Sequence, residues 1–239
     1  AGGTLSVNGV ASWNPSTQRW SRLGISASQA GNGIDGSCNA MALDSSNNRL
    51  YVGGNFKRAS DSSNTDLSVN CVAYWDISNS VWKTLGGTSN IQNGLDGSCN
   101  ALAYDSSNNR LYVGGLFKKV SDSSQSDQSA NYVAYWDVSN SIWKQLGGTT
   151  SARNGASDMV NALAQDVSKN VFVGGTFISV NDSAYNTYLA NYNAYWSPST
   201  ERWSRLGSIV SNGLNNSGGG HISFALDIDT SNSVLYGPY

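Results

Sequence analysis

The sequence predicts an all-β fold built from four copies of a four-stranded unit, and three observations carry that expectation. First, the chain repeats itself. VASWNPSTQRWSRLG (10–24) returns as VAYWDISNSVWKTLG (72–86), VAYWDVSNSIWKQLG (133–147) and NAYWSPSTERWSRLG (193–207). A second block, CNAMALDSSNNRLYVGGNF (38–56), returns as CNALAYDSSNNRLYVGGLF (99–117), as VNALAQDVSKNVFVGGTF (160–177) and, degenerately, as SFALDIDTSNSVLYGPY (223–239). Second, the period is regular. Trp13, Trp75, Trp136 and Trp196 are spaced by 62, 61 and 60 residues, and self-similarity at a fixed period is the signature of a repeat architecture. Third, each unit holds four short β-branched or aromatic segments separated by turn residues.

Taken in order within a unit, the segments are LYVGG, VAYW, WKTLG and NALA. Ile77, Ser78, Asn79 and Ser80 form a turn between VAYW and WKTLG, and Ser-Ser-Asn-Asn joins NALA to LYVGG. Both are compositions in which Asn and Ser stabilise tight reversals. Sheets of four strands repeated radially form a β-propeller, whose blades cover one another's faces. The expectation is therefore one domain over 1–239, a four-bladed propeller of antiparallel blades with repeats at about 8–56, 70–117, 131–177 and 191–239. If LYVGG is the first strand of each blade, the chain ends on a lone strand, Val234 to Tyr239. That strand would complete the N-terminal blade and close the ring, leaving no exposed edges.

At this point a resemblance can be stated. A strand ending in Gly-Gly precedes an aromatic-Asp pair, with a Trp seven residues after the aromatic: Trp75-Asp76 to Trp82, and Trp136-Asp137 to Trp143. This resembles the kelch repeat. The longer pattern NALA.D…LYVGG.F…VAYWD…W..LG is similar to kelch-related repeats of bacterial surface proteins and fungal cortical polarity markers, over nearly the whole chain. The resemblance implies the propeller fold; such families host enzymes, adhesins and scaffolds. The copper oxidases built on a kelch-like propeller use two histidines, and this chain has only His221.

Composition narrows the function classes. Of 239 residues, 40 are Ser, 28 Asn and 26 Gly, against 30 charged residues and a net charge of −2. That charge gives no basic field for a phosphate backbone, so nucleic acid is not an expected partner. Eight Trp, twelve Tyr and five Phe are enough to close a core. No apolar run reaches the length of a membrane span, and AGGTLSVNGV lacks the layout of a signal peptide, so a secreted form would be the mature one. No nucleophile elbow, phosphate loop or zinc spacing is present in the sequence.

Loop length distinguishes two faces. The turns within 76–81 and within the NALA to LYVGG hairpins are about four residues, whereas 57–69, 118–130 and 178–190, with 25–37, 88–98, 148–159 and 208–222, run to eleven to fifteen. All the long connections emerge on one face, where binding residues sit on rigid scaffolds. Carboxylates recur there: Asp61 and Asp66, Asp122 and Asp127, and Asp182. Such oxygens a few residues apart are ligands that calcium accepts, although the Gly and terminal Glu of an EF-hand loop are missing. The expectation is solvated, flexible loops that contact a ligand, without a firm metal site or cofactor.

The eight Trp (Trp13, Trp20, Trp75, Trp82, Trp136, Trp143, Trp196, Trp203) fall on two repeat positions and read as cross-strand pairs that hold blades together. The Gly-Gly pairs read as sites of close backbone approach. Cys38, Cys71 and Cys99 are disulfide candidates, with Cys38 and Cys71 the easier pair; one strand between Cys71 and Cys99 would separate them by about 9.6 Å. Asn181 and Asn215 sit in N-glycosylation sequons. Three functions follow: a non-enzymatic extracellular or cell-surface module for adhesion or assembly, including homo-assembly; a multivalent lectin with one site per blade; and a glycoside hydrolase using loop carboxylates.

Overall fold

The computed structural model describes residues 5–24, 32–63, 66–89, 92–150, 154–184, 186–207, 225–232 and 234–237. Every regular element among them is a strand. The chain opens with the hairpin β1 (Ala11–Asn14) and β2 (Arg19–Arg22), then β3 (Gly33–Ile34). The first complete blade combines β4 (Ser37–Asp44) and β5 (Arg49–Asn55), the loop hairpin β6 (Arg58–Ser60) and β7 (Leu67–Ser68), then β8 (Val72–Asp76) and β9 (Val81–Thr84). The second repeats it with β10 (Ser98–Asp105), β11 (Arg110–Leu116), β12 (Lys119–Val120), β13 (Gln128–Ser129), β14 (Val133–Asp137) and β15 (Ile142–Gln145). The third holds β16 (Val160–Gln165), β17 (Val171–Gly175), β18 (Ser179–Asn181), β19 (Thr187–Leu189), β20 (Asn193–Ser197) and β21 (Arg202–Arg205). A last hairpin joins β22 (Asp227–Asp229) to β23 (Val234–Tyr236).

The sheets run β4-β5-β8-β9, β10-β11-β14-β15 and β16-β17-β20-β21. The NALA strand, not LYVGG, therefore begins each blade, which corrects the strand order expected from sequence. The reason is local: NALAYD and RLYVGG form a tight hairpin, and the next strand pairs on the far side of LYVGG. The chain consequently ends on a two-stranded hairpin, and Val234–Tyr236 pairs with Asp227–Asp229 rather than standing alone. Here β1-β2 and β22-β23 are separate two-stranded sheets.

The tight turns share one device. Asp44 Oδ1 accepts from the Asn47 backbone N–H at 3.1 Å and from Ser46 Oγ at 2.6 Å, while Oδ2 accepts from Asn47 Nδ2 at 2.8 Å. Asp76, Asp105, Asp137 and Asp229 hold their turns in the same way. Asn48, Ser80, Asn109 and Ser141 then take left-handed φ values of 53°, 55°, 55° and 56°, which lets the strands reverse with their native twist. Burial works against ionisation of Asp44, but the bonds from Ser46 and Asn47 outweigh it and hold its carboxyl below the ordinary range.

Blades are fastened to one another by tryptophan. Trp75 lies opposite Trp82 in register, with ring centroids 5.4 Å apart, and the pairs Trp136–Trp143 and Trp196–Trp203 repeat this at 5.3 and 5.4 Å. In the three complete blades the outer-strand indole also donates to the preceding repeat: Trp82 Nε1 to Leu23 O at 3.1 Å, Trp143 Nε1 to Leu85 O at 3.3 Å, Trp203 Nε1 to Leu146 O at 3.0 Å. Burying a tryptophan demands a partner for that N–H. At the inner strands Asn39, Asn100 and Asn161 occupy bulges. Asn39 Nδ2 reaches Cys99 O at 3.1 Å and Asn100 Nδ2 reaches Asn161 Oδ1 at 3.2 Å, linking successive blades. Glycine permits the approach, because a Cβ on Gly53 would collide with Cys99 Sγ of the next blade, and one on Gly114 with Val160.

Candidate functional site

Antiparallel alternation sends the Asx turns to one face and the long connections to the other. The described parts of the long connections pack into a second layer. Leu95 bridges Val120 and Ala156 bridges Val180, so the loop entering each blade pairs with that blade's own hairpin. Asn93 Nδ2 donates to Ser68 O at 3.1 Å and to Ser89 O at 2.7 Å, and Asn154 Nδ2 does the same to Ser129 O and Thr150 O. Asp96 Oδ1 caps the Lys118 and Lys119 N–H groups at 2.8 and 2.9 Å, as Asp35 does for Lys57 and Arg58.

The loop carboxylates divide into two sets. Asp61, Asp122 and Asp182 are buried, at 0%, 0% and 1% exposure, which corrects the expectation that these are solvated loop residues. Asp61 Oδ2 accepts from the Trp82 backbone N–H at 2.6 Å, and Asp122 Oδ2 from that of Trp143 at 2.8 Å. These N–H groups belong to the outermost strand of a blade, so the carboxylates cap an edge that would otherwise offer a ladder to another strand. Asp182 accepts from Ala184, Asn186 and Tyr188 Oη. Desolvation opposes ionisation of Asp122 and Asp182, yet the hydrogen bonds win and both are held below the usual carboxylate range. Asp66 and Asp127 are exposed and pair with Arg58 and with Lys119, the latter at 3.5 Å. Among the described residues no group of three His, Cys, Asp or Glu side chains could hold a metal ion.

Other residues singled out by sequence are scattered. Cys38, Cys71 and Cys99 are free thiols in this structure, so no candidate pair is bridged. Burial pushes all three thiols up, with Lys57 Nζ at 3.8 Å from Cys71 Sγ working the other way. Asn181 lies in β18 and accepts from Thr187 Oγ1 at 2.8 Å. Asn215 and His221 lie outside the described residues.

A cleft of about 350 Å³ opens on this layer in the second complete blade, between the β12–β13 hairpin and β15. Ser124, Gln125, Gln128, Ile142, Gln145 and Thr149 line it. Gln128 and Gln145 drew no attention in sequence. The signal that could have found them is positional: Gln128 and Gln145 stand where the other blades carry Leu67 and Thr84, or Tyr188 and Arg205. The spacing of 21 residues from Asp61 to Trp82, Asp122 to Trp143 and Asp182 to Trp203 was equally readable.

Residues 21–199 match the family model described as the Rax2 C-terminal beta propeller domain. The chain belongs to that family. No curated protein matches it. Among solved structures, the chain is similar to the extracellular domain of a hybrid two-component system from B. thetaiotaomicron, with a TM-score of 0.56 and 12% identity. The match covers 97% of this chain and 24% of that one. The extracellular domain of a one-component system from the same organism gives a TM-score of 0.54 at 12% identity, again over 97% and 24%. The WD40 repeats of RRP9 give 0.48 at 10% identity, over 87% of this chain and 52% of that one. The chain thus spans about half or less of each of these structures' own length. The family match places it among propellers. No helix among the described residues is long and apolar enough to cross a membrane.

Proposed function

We propose that this propeller is a non-catalytic binding and structural module of the extracellular space or cell surface, working through its long-loop face in adhesion or assembly. One observation carries the reading: the described parts of the long connections form a second layer of hairpins tied to the blades by buried Asn and Asp side chains. Preordered loops lose little entropy on binding, which suits a docking face. The buried carboxylates Asp61 and Asp122 already accept backbone N–H bonds, which favours binding over catalysis. A photoactivatable side chain at Ser63 or Ser124 should crosslink a protein partner from the native source, and one at Ser46 or Ser107 should not. Equal labelling from both faces would remove the reading.

We also propose that the ring has four blades, the fourth made from β22-β23 with β1-β2. Support comes from register. Leu50 opposes Trp75 and Tyr51 opposes Tyr74, so Leu235 would oppose Trp13 and Tyr236 would oppose Ser12. The missing staple would run from Trp20 Nε1 to Leu206 O. Hydrogen exchange on 10–24 equal to that on 72–86 is expected, and much faster exchange would argue for an open arc.

A further inference from the structure

We infer that the cleft of the second complete blade is a single binding site for a neutral polyhydroxyl ligand, a sugar unit held by the amide groups of Gln128 and Gln145. The inference rests on the reading of the long-loop face as the working face and names a ligand class for it.

The site is built on a relay of hydrogen bonds. Asp122, wholly buried, fixes its Oδ2 with the Trp143 backbone N–H at 2.8 Å and accepts Gln128 Nε2 on the same oxygen at 3.0 Å. Gln128 is 8% exposed, and its amide nitrogen also reaches Gln125 O at 3.4 Å. Both N–H groups of Gln128 are thereby engaged, so the orientation of its amide is set and Oε1 accepts from Gln145 Nε2 at 3.3 Å. The Gln145 carbonyl oxygen and second N–H remain for a ligand in the cleft that both residues line. A paired donor and acceptor held in place by buried partners is a preorganised site for a hydroxyl, which both donates and accepts.

Three features select the ligand class. The cleft volume of about 350 Å³ lies at the small end of ligand pockets. Of its charged lining residues, Asp127 is paired with Lys119, and Lys144 is balanced by the buried Asp122, so no net charge recruits an ion. An extended peptide adding to β15 meets an edge whose Trp143 N–H is already capped by Asp122. The relay is also unique to this blade: Leu67 has no amide to offer Asp61, and Tyr188 Oη occupies Asp182 Oδ2 at 3.1 Å. One site per chain follows, rather than one per blade.

The test titrates the full chain with the methyl α-glycosides of glucose, galactose, mannose and N-acetylglucosamine, read by saturation-transfer NMR and calorimetry. At least one should bind saturably with one site per chain. The double variant Gln128→Leu/Gln145→Thr installs the pair that the first complete blade already carries, and should weaken binding at least tenfold without changing the melting temperature. If that variant does not fold, Gln145→Thr alone should still cost at least threefold. Absence of binding to all four glycosides, unchanged affinity in the variant, or three sites per chain would overturn the inference. Loss of sugar binding with protein crosslinking from Ser124 intact would overturn it while sparing the docking face.

Discussion

Trp20 and Trp82 hold the same place in the repeat, face a Trp partner at the same 5.4 Å, and differ in everything around them. Trp82 is 0% exposed and its indole donates to Leu23 O, whereas Trp20 is 58% exposed. Trp75 and Trp13 differ likewise, at 8% and 46%. The hairpin is therefore a local product of turn and cross-strand pairing, and burial is a gift of neighbouring blades. The same lesson holds one strand further in. Met41 and Leu43 are 57% and 59% exposed on β4, while Leu102 and Tyr104, their counterparts on β10, pack against the preceding blade.

The largest effect should come from the buried member of that comparison. Trp82→Ala or Trp143→Ala removes a filled interblade position and strands a leucine carbonyl, at a cost of about 3–5 kcal/mol; thermal or denaturant unfolding measures it, and a folded variant of near-native stability would contradict the structural role. Next is Asp122→Ala, which leaves the buried Trp143 N–H without its acceptor and should cost roughly 1–3 kcal/mol. Trp20→Ala then sharpens the comparison: the proposed four-bladed ring predicts a loss approaching that of Trp82→Ala, while about 1 kcal/mol or less would mean that β1–β2 remains an exposed hairpin and would overturn the fourth blade. The smallest effect belongs to the exposed pair Arg58–Asp66, where Asp66→Asn should change stability by about 0.5 kcal/mol or less.

The pH dependence follows from the same carboxylates. Asp44, Asp122 and Asp182 have folded pKa values below their unfolded ones, so their contribution is complete above about pH 4 and is lost as pH falls through the folded values. At the alkaline end, burial raises the Tyr112 hydroxyl to about 12. Stability should fall as pH rises from about 10, where unfolded tyrosine ionises, toward that value. Unfolding free energy measured across pH should therefore be flat through neutrality, and an Asp122→Asn variant should show a shallower acid limb. An equally steep limb would exclude Asp122 as a contributor.

Much of this was legible in the chain itself. The repeat, the turn chemistry of Asp44 and its counterparts, the Trp pairs and the two faces of unequal loop length are local or periodic properties, and periodicity needs no coordinates. The blade's starting strand was not legible, because a repeat can be cut at any strand and only pairing across LYVGG shows that NALA lies innermost. The loop acids misled for a related reason. A run such as SDSSQSDQS reads as solvent-exposed by composition, yet Asp122 is buried because a strand edge 21 residues away needs an acceptor.

The sequence by itself determined a β-rich repeat with a tryptophan in two positions per unit, since alternation, turn residues and period follow from backbone geometry alone. The tertiary structure decided which of those tryptophans is buried, which aspartates cap an edge, and which blade presents a pair of glutamines to a cleft. These depend on what packs against a residue from another repeat, and similar local sequence cannot encode why Trp82 is 0% exposed and Trp20 is 58% exposed.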